Sequence, residues 1–540
     1  MTTSTTYKEQ CVSVRDRYDV IIAGFGFAGG AAAIAAADAG ANVLLLEKML
    51  DPGGISITAG GGLRVSQSAD LAFEYIKASN AGRTPDENIR PIADGMVWIS
   101  DWFGSLAAEG GASTAINPRT GNYPFVGYDQ LAMLEVKHIP NFDPRAEYPH
   151  ARALTGGTRM EQGGAPANVT GGGAGVFKVV ELAVQARCDR IDVRLGAPVE
   201  RLLVQDGAVC GVRANIDGRS QEIAATRGVI LACGGFESAP DMQEQFWQIT
   251  PVLSSACRGN TGDGIRMAVA MGADLWHMWH YHGTYGFRHP DHAGIGIRMK
   301  RLPDWRPEGF GQPSDAEERA AIMSWILVDQ NGKRFMNEYG PYVQDTGHRD
   351  MEPYDPGTLR FPRVPCWCVF DEAGRERYPV GSPVLNDRDP SVHYDWSADN
   401  QKEVQNGLLR RAESVEQLAA LMQVDPEVLT QTIDHWNQAV AAGRDSLGRP
   451  GRSMATIMQA PFYCGQIWPV VSNTQGGPRH DPQQRVVTPY NDPIDGLYVA
   501  GELGSIWGSL YTAGCNLTEC FVTGKIAAEH AAARVVRERS

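Results

Sequence analysis

Residues 21–30 read IIAGFGFAGG, with Gly24, Gly26, Gly29 and Gly30 placed directly behind an apolar run. The preceding YDVIIAG (18–24) is rich in β-branched residues and predicts a buried parallel strand. GAAAIAAADAG (30–40) predicts an alanine-rich helix closed by Gly40, and ANVLLLEK (41–48) a second strand ending in Glu47. In this strand–turn–helix frame Gly24 permits the tight turn. Gly26 lets the backbone approach a pyrophosphate, and Gly29 lets helix and strand pack closely. Phosphates then lie at a helix N-terminus, where unpaired N–H groups and the helix dipole favour negative charge. Glu47, 21 residues beyond Gly26, stands where an acceptor for ribose hydroxyls belongs. With strand, helix, second strand and acid all in order, the stretch predicts a dinucleotide site.

The rest of the chain bounds what that site serves. Its 540 residues, 43% hydrophobic and 21% charged, suffice for a large core and more than one domain. The net charge of −14 and the absence of a Lys/Arg block argue against a nucleic-acid partner. No run of 18 apolar residues predicts a membrane span, and the first 20 residues lack the order of a signal peptide. Ten cysteines without metal-ligand spacing read as reduced thiols of a cytoplasmic protein, and no metal site is expected.

A second glycine cluster, MLDPGGISITAGGGLRV (49–65), follows Glu47 at once, as expected for a long ligand that the backbone must approach twice. Two more strand-then-glycine units come later: RGVILACGGFES (227–238), and the stretch from Ile494 containing AGE (500–502) and a small-residue helix. As an ordered set these motifs resemble the FAD-dependent fumarate reductase/succinate dehydrogenase flavoprotein superfamily. The likeness covers about the first 275 residues and the last 80. It implies an α/β fold: a Rossmann-type FAD-binding domain, with a parallel sheet plus a β-meander, and an inserted α+β substrate-capping domain. The expected divisions are 1–275 and 456–540 for FAD and 276–455 for the cap.

The implied FAD contacts begin with Gly24, Gly26, Ala28, Gly29, Glu47 and Lys48. They continue through Gly54, Ile55 and Ser56, with Gly60, Gly61 and Gly62. Val199, Ala232 and Gly234 follow from the middle of the chain. Gly501 and Glu502 fall where the family binds the ribityl chain. Gly514, Asn516 and Leu517 fall where its main chain lies along the flavin ring. No histidine stands beside the second glycine cluster, so FAD is expected to be noncovalent.

VERLLVQDGAVCGVRANIDGRSQEI (199–223) predicts the meander, with turns at Asp206-Gly207 and Asp217-Gly218. In the expected cap, LWHMWHYHGTYGF carries His277, His280 and His282, read as structural or pocket-lining rather than as metal ligands. DQNGKRFMNEYGPY (329–342) is similar to the family segment G-x-R-F-x-N-E. Four positions after that Asn-Glu pair reductases carry a proton-donating arginine, and ketosteroid dehydrogenases a tyrosine; this chain has Tyr342. In SLYTAGCNL (509–517) the reductases' carboxylate-clamping arginine is replaced by Tyr511. An arginine fork suits a carboxylate, whereas a phenol suits a carbonyl, donating a hydrogen bond that strengthens as enolate charge grows.

The resemblance therefore implies the ketosteroid-dehydrogenase branch and an enzyme that desaturates a cyclic ketone beside its carbonyl. Tyr511 and a backbone N–H near Gly514 polarise the ketone, Tyr342 removes the α-proton, and flavin N5 takes the β-hydrogen as hydride. Tyr123 in GNYPFVGY is the candidate for assisting the base. The partners expected are a small cyclic ketone, steroid or single ring, and an external electron acceptor. Arg349 and Arg288 are candidates for holding a substrate carboxylate. The alternatives are an ene-reductase acting on a conjugated acid or enone, and a flavin-binding redox protein without enzymatic activity.

Overall fold

The computed structural model describes residues 17–148, 172–300, 322–339, 343–384, 387 and 389–535. Strand β1 (Tyr18–Ala23) sends Val20 and Ile22 into one core and Ile21 and Ala23 into another, so both faces of its sheet are covered. The chain then enters helix α1 (Phe27–Asp38), whose residues Phe27 to Ala37 are all buried. It returns as β2 (Val43–Leu46), parallel to β1 with Val20 opposite Val43. Helix α2 (Asp86–Glu109) and helix α3 (Gly173–Ala186) lead to β3 (Ile191–Arg194), parallel to β2.

The meander follows as β4 (Val199–Gln205), β5 (Ala208–Ile216) and β6 (Arg219–Leu231), paired antiparallel. Both turns are formed by Asp-Gly pairs with positive φ (Asp206 54°, Gly207 79°; Asp217 52°, Gly218 79°), as tight hairpins require. The far end of β6 is long enough to leave the meander and lie parallel to β1, Val229 opposite Ile21.

A second sheet builds the cap. It takes in β7 (Leu253–Ser254), β8 (Tyr281–Arg288), β9 (Gly296–Arg298), β10 (Ile326–Val328), β11 (Cys366–Asp371), β12 (Arg410–Ala412) and β13 (Phe462–Thr474). Its order is β9-β8-β13-β11-β10, with β7 and β12 also on β13. Strands β7 and β13 come from either side of the expected 276–455 insertion, so cap and FAD-binding body share a strand. Helix α4 (Pro426–Ala442) covers this sheet. Asp425 caps it by accepting the N–H groups of Glu427 (2.8 Å) and Val428 (3.2 Å), with Pro426 in its first turn.

The chain then closes the first sheet with β14 (Arg485–Val487) and β15 (Pro493–Val499), giving the order β14-β15-β6-β1-β2-β3 among the described residues. It ends in helix α5 (Cys515–Ala533), packed on α1.

The Asn-Glu pair of the cap motif is structural. Glu338 is fully buried and takes both arms of Arg334 (Nε to Oε1 2.9 Å, Nη2 to Oε2 2.6 Å) and the N–H of Leu327 (2.9 Å). Arg449, also fully buried, reaches Oε2 at 3.4 Å and donates to the carbonyls of Met323, Trp325 and Ser453. Asn337 accepts the Tyr339 N–H at 2.9 Å. Burial opposes ionisation of Glu338, but the two guanidinium groups outweigh it and hold the carboxyl below its ordinary range. Its contribution to stability is therefore complete at neutral pH and is lost as pH falls through the carboxylate range. Glu338→Gln leaves the buried Arg449 without its counter-charge, with only Asp445 remaining on Arg334, and is expected to cost about 3–5 kcal/mol. The check is chemical denaturation at neutral pH; a loss below ~1 kcal/mol, the size of a screened surface pair, contradicts the assignment.

Candidate active site

The turn from β1 into α1 opens a cleft lined by Gly24, Phe25, Gly26, Ala28, Glu47, Lys48, Gly54, Ile55 and Ser56. Val199, Ala232 and Gly234 line it from β4 and the end of β6. Gly24 has φ +104°, and a Cβ there would lie 2.3 Å from the Ala232 carbonyl oxygen. Gly29 lies outside the lining: its Cβ would stand 1.8 Å from the Gly24 oxygen, so it serves the close packing of helix on turn. In the first turn of α1 the N–H of Phe27 is taken by Ser56 Oγ at 3.0 Å, while those of Ala28 and Gly29 have no acceptor within the helix.

Glu47 accepts the N–H groups of Phe25 and Met49, each at 2.8 Å, which fixes its carboxylate at the cleft wall. Burial pushes its carboxyl above the ordinary range, against those two N–H groups. Lys48 is tied to the opposite wall, through the Gly259 carbonyl (2.6 Å), Thr261 (2.7 Å) and Asp263 (2.7 Å). Cys257, Gly259, Asn260, Asp263 and Cys520 also line the cleft, and sequence reading missed them. The run RGNTGDG (258–264) carried the loop signal that could have found three of them.

At the other end Gly501 has φ +75°, and its Cβ would lie 2.7 Å from that of Ala28, so the AGE turn sits on the start of α1. Glu502 accepts the Thr474 N–H at 2.8 Å, and Glu237 accepts the same N–H at 3.2 Å. Burial, and then the charge of Glu237, push the Glu502 carboxyl well up. Burial likewise pushes the Glu237 carboxyl up.

The second glycine cluster meets the last helix here. A Cβ on Gly514 (φ +83°) would be 2.7 Å from the Gly62 oxygen, and one on Gly61 would be 2.1 Å from the Gly172 backbone. Gly60 is exposed. Asn516 donates to Gln475 (3.1 Å) and Glu519 (3.0 Å), and Leu517 packs on the core beneath α1.

Tyr511 lies beside this junction and is buried. Its hydroxyl oxygen accepts the Gly514 N–H at 3.1 Å. The two donors expected to stand side by side are thus arranged in series: the N–H is on the phenol oxygen, and the phenol keeps its own hydrogen to donate. Burial lifts the Tyr511 phenol well above its ordinary range, so it stays protonated. The Tyr511 backbone N–H donates to Asp345 Oδ2 at 3.1 Å, and the Tyr123 hydroxyl donates to the same oxygen at 3.1 Å. Asp345, on the short helix Val343–Thr346, was not singled out from the sequence; a carboxylate three residues beyond Tyr342 was the signal available. Tyr342 itself lies outside the described residues.

The three cap histidines are held by neighbours: His277 Nδ1 lies 2.8 Å from the Ser505 carbonyl and His280 Nδ1 2.6 Å from that of Trp507. His282 Nδ1 lies 2.9 Å from Asn473 Oδ1. Arg349 donates to the Ser509 carbonyl, lies 3.3 Å from His280 Nε2 and 3.9 Å from Asp345. Arg288 instead lies over the Trp468 ring at 4.0 Å.

A helix N-terminus behind close-packed glycines and an acid fixed at the wall beyond it fit a dinucleotide, while Gly60–Gly62, Gly501, Glu502, Gly514, Asn516 and Leu517 lie outside the lining of this cleft. A family model described as "FAD binding domain" matches residues 19–517. The chain is 25% identical to 3-oxosteroid 1-dehydrogenase of Mycolicibacterium smegmatis over 97% of its own length and 98% of that protein. It is 26% identical to NADH:fumarate oxidoreductase of Klebsiella pneumoniae over 96% of its own length and 48% of that one. Among solved structures, 3-ketosteroid Δ1-dehydrogenase of Sterolibacterium denitrificans shares the fold with a TM-score of 0.75 at 23% identity, over 96% of this chain and 100% of that one. The chain belongs to the FAD-binding-domain family and is an FAD-dependent oxidoreductase of that kind.

Proposed function

We propose that the protein is a dehydrogenase that introduces a C=C bond beside the carbonyl of a cyclic ketone and passes the electrons to an external acceptor. The observation that carries this reading is the buried Tyr511 hydroxyl, held by the Gly514 N–H and with its own hydrogen free to donate. A ketone oxygen placed on that hydrogen is polarised, and its α-C–H becomes more acidic. The Gly514 N–H pulls density from the phenol oxygen and strengthens the donation as enolate charge develops. The reductases' arginine position holds this phenol, which donates one hydrogen bond and carries no charge for a diacid. Proton removal at the α-carbon falls to the cap segment at 342–345, in which sequence position favours Tyr342.

FAD, when bound, supplies the hydride acceptor for the β-carbon. Of the chain's own residues, Gly24, Gly26, Ala28 and the start of α1 receive its pyrophosphate, with Glu47 on the ribose. Glu502 serves the ribityl chain, and Gly60–Gly62 with Gly514–Leu517 frame the ring. No attachment residue stands in the second cluster, so the flavin is held without a covalent bond.

The purified protein should be yellow and release its flavin into the supernatant on acid denaturation; flavin that stays with the precipitated chain refutes noncovalent binding. Glu47→Ala should raise the FAD dissociation constant at least about tenfold, the loss of one charge-assisted hydrogen bond. Tyr511→Phe should slow flavin reduction by a cyclic ketone about 100-fold or more while ketone binding changes far less. Rapid reoxidation of the reduced enzyme by fumarate would instead favour the reductase reading.

A further inference from the structure

Two fully buried carboxylates stand seven residues apart in the cap, and they are treated differently. Glu338 has a donor on each oxygen. Asp345 carries the Tyr123 hydroxyl and the Tyr511 N–H on Oδ2, whereas Oδ1 makes no hydrogen bond among the described residues. The nearest cation-capable groups are His280 Nε2, 3.7 Å from Oδ1, and Arg349 Nη2, 3.9 Å from Oδ2. His282, whose ring packs on Tyr511 at 4.2 Å, and His348, against Tyr281 at 4.0 Å, are further titratable groups around it among the described residues. Burial pushes these last two down to about 4 and about 3, so both are neutral near pH 7. An ionised carboxylate stripped of water and short of donors is costly to hold. Asp345 Oδ2 already takes the Tyr123 hydroxyl at 3.1 Å, so a proton can pass to it directly.

We infer that Asp345 is the final acceptor of the proton released at the ketone's α-carbon, reached through the Tyr123 hydroxyl. This rests on the ketone reading above and its Tyr511 donor, and it gives the proton-taking step to Tyr123 and Asp345 in place of Tyr342. The α-C–H bond breaks and its electron pair stays on the substrate as an enolate, whose oxygen lies on the Tyr511 hydrogen. The released proton bonds to the Tyr123 oxygen while the original Tyr123 proton moves to Asp345 Oδ2. Negative charge thus passes from Asp345 to the enolate, and no phenolate forms. That matters because burial, and then the Asp345 charge, push the Tyr123 phenol far above its ordinary range. A carboxylate base working with a tyrosine donor at the enolate oxygen is a pairing able to abstract the α-proton of a ketone.

The sign of the pH dependence follows. Burial opposes ionisation of Asp345, but His280, His282 and Arg349 outweigh it and hold the carboxyl below its ordinary range. The relay is therefore ready at neutral pH and fails only as pH falls through the carboxylate range. A phenolate base would instead give a rate still rising toward pH 10.

The test mixes FAD-loaded enzyme anaerobically with a 3-ketosteroid and with cyclohexanone in deuterated buffer. It follows flavin bleaching by stopped flow and deuterium uptake at the α-carbon by mass spectrometry. Asp345→Asn, which keeps an acceptor for the Tyr511 N–H, is expected to lose both signals about 100-fold or more with ketone affinity changed less than about threefold. Asp345→Glu should recover part of the loss. Tyr123→Phe removes a single oxygen, leaves the carboxylate in place and should lose both signals as well. It decides the matter alone if Asp345→Asn does not retain FAD. Near wild-type bleaching and exchange in Tyr123→Phe or Asp345→Asn, or an alkaline-rising limb in the parent enzyme, overturns the relay and leaves the ketone reading intact. If neither ketone bleaches the parent enzyme, both fall.

Discussion

The approach of α5 to α1 is the contact on which the site depends. At Gly524 a Cβ would stand 2.5 Å from the Ala28 carbonyl oxygen, and at Gly501 another would stand 2.7 Å from the Ala28 side chain. No side chain fits between the first helix and the last at that point. The same helix meets α2 where a Cβ on Gly95 would lie 2.3 Å from Val522. Because those surfaces are bare, residues from the two ends of the chain come together. Cys520 lines the cleft begun by Gly24, Gly501 rests on the start of α1, and Gly514 meets Gly62. A single β-carbon at Gly524 would push α5 off the start of α1, and with it Cys520 off the cleft wall.

Much of this was legible in the sequence, because nucleotide binding by backbone leaves a mark that side chains do not blur. The order strand, glycine turn, helix, strand, acid located the cleft, and the Asp-Gly pairs located the meander with its turns. The juxtaposition of Tyr511 and Gly514 was also legible, since only three residues separate them. The cap was not readable in the same way. Its contacts join positions far apart in the chain: Tyr123 and Asp345 are separated by 222 residues, and Asp345 and Tyr511 by 166. No local spacing encodes such a meeting. The Asn337-Glu338 motif pointed to Tyr342, which lies outside the described residues, while the pair itself is the cap's ionic anchor; Asp345, three residues further on, carries no motif of its own.

The two buried carboxylates of the cap show how one physical rule yields two outcomes. Desolvation penalises both. Glu338 is compensated almost completely by Arg334, Arg449 and a backbone N–H, and the result is rigidity. Asp345 has donors on Oδ2 alone, the Tyr123 hydroxyl and the Tyr511 N–H, with its cation-capable neighbours at 3.7 and 3.9 Å, and its hydrogen bonds tie it to the tyrosine cluster. Glu237 and Glu502 are a third case, in which burial and their mutual repulsion push Glu502 well up while both accept the Thr474 N–H.

Strand β13 pairs with β11 and β12 along its first half and with β8 and β7 along its second. It ends at Thr474, whose N–H is bound by Glu502. Cap and flavin body are therefore sewn along one seam rather than joined by a hinge. A swing of the cap would have to shear a ladder of hydrogen bonds and pull Thr474 off the acid at the same moment. One strand thus sets the spacing of the cap's sheet from the acid at Glu502, and a residue inserted or deleted within it would shift both sides of the seam at once.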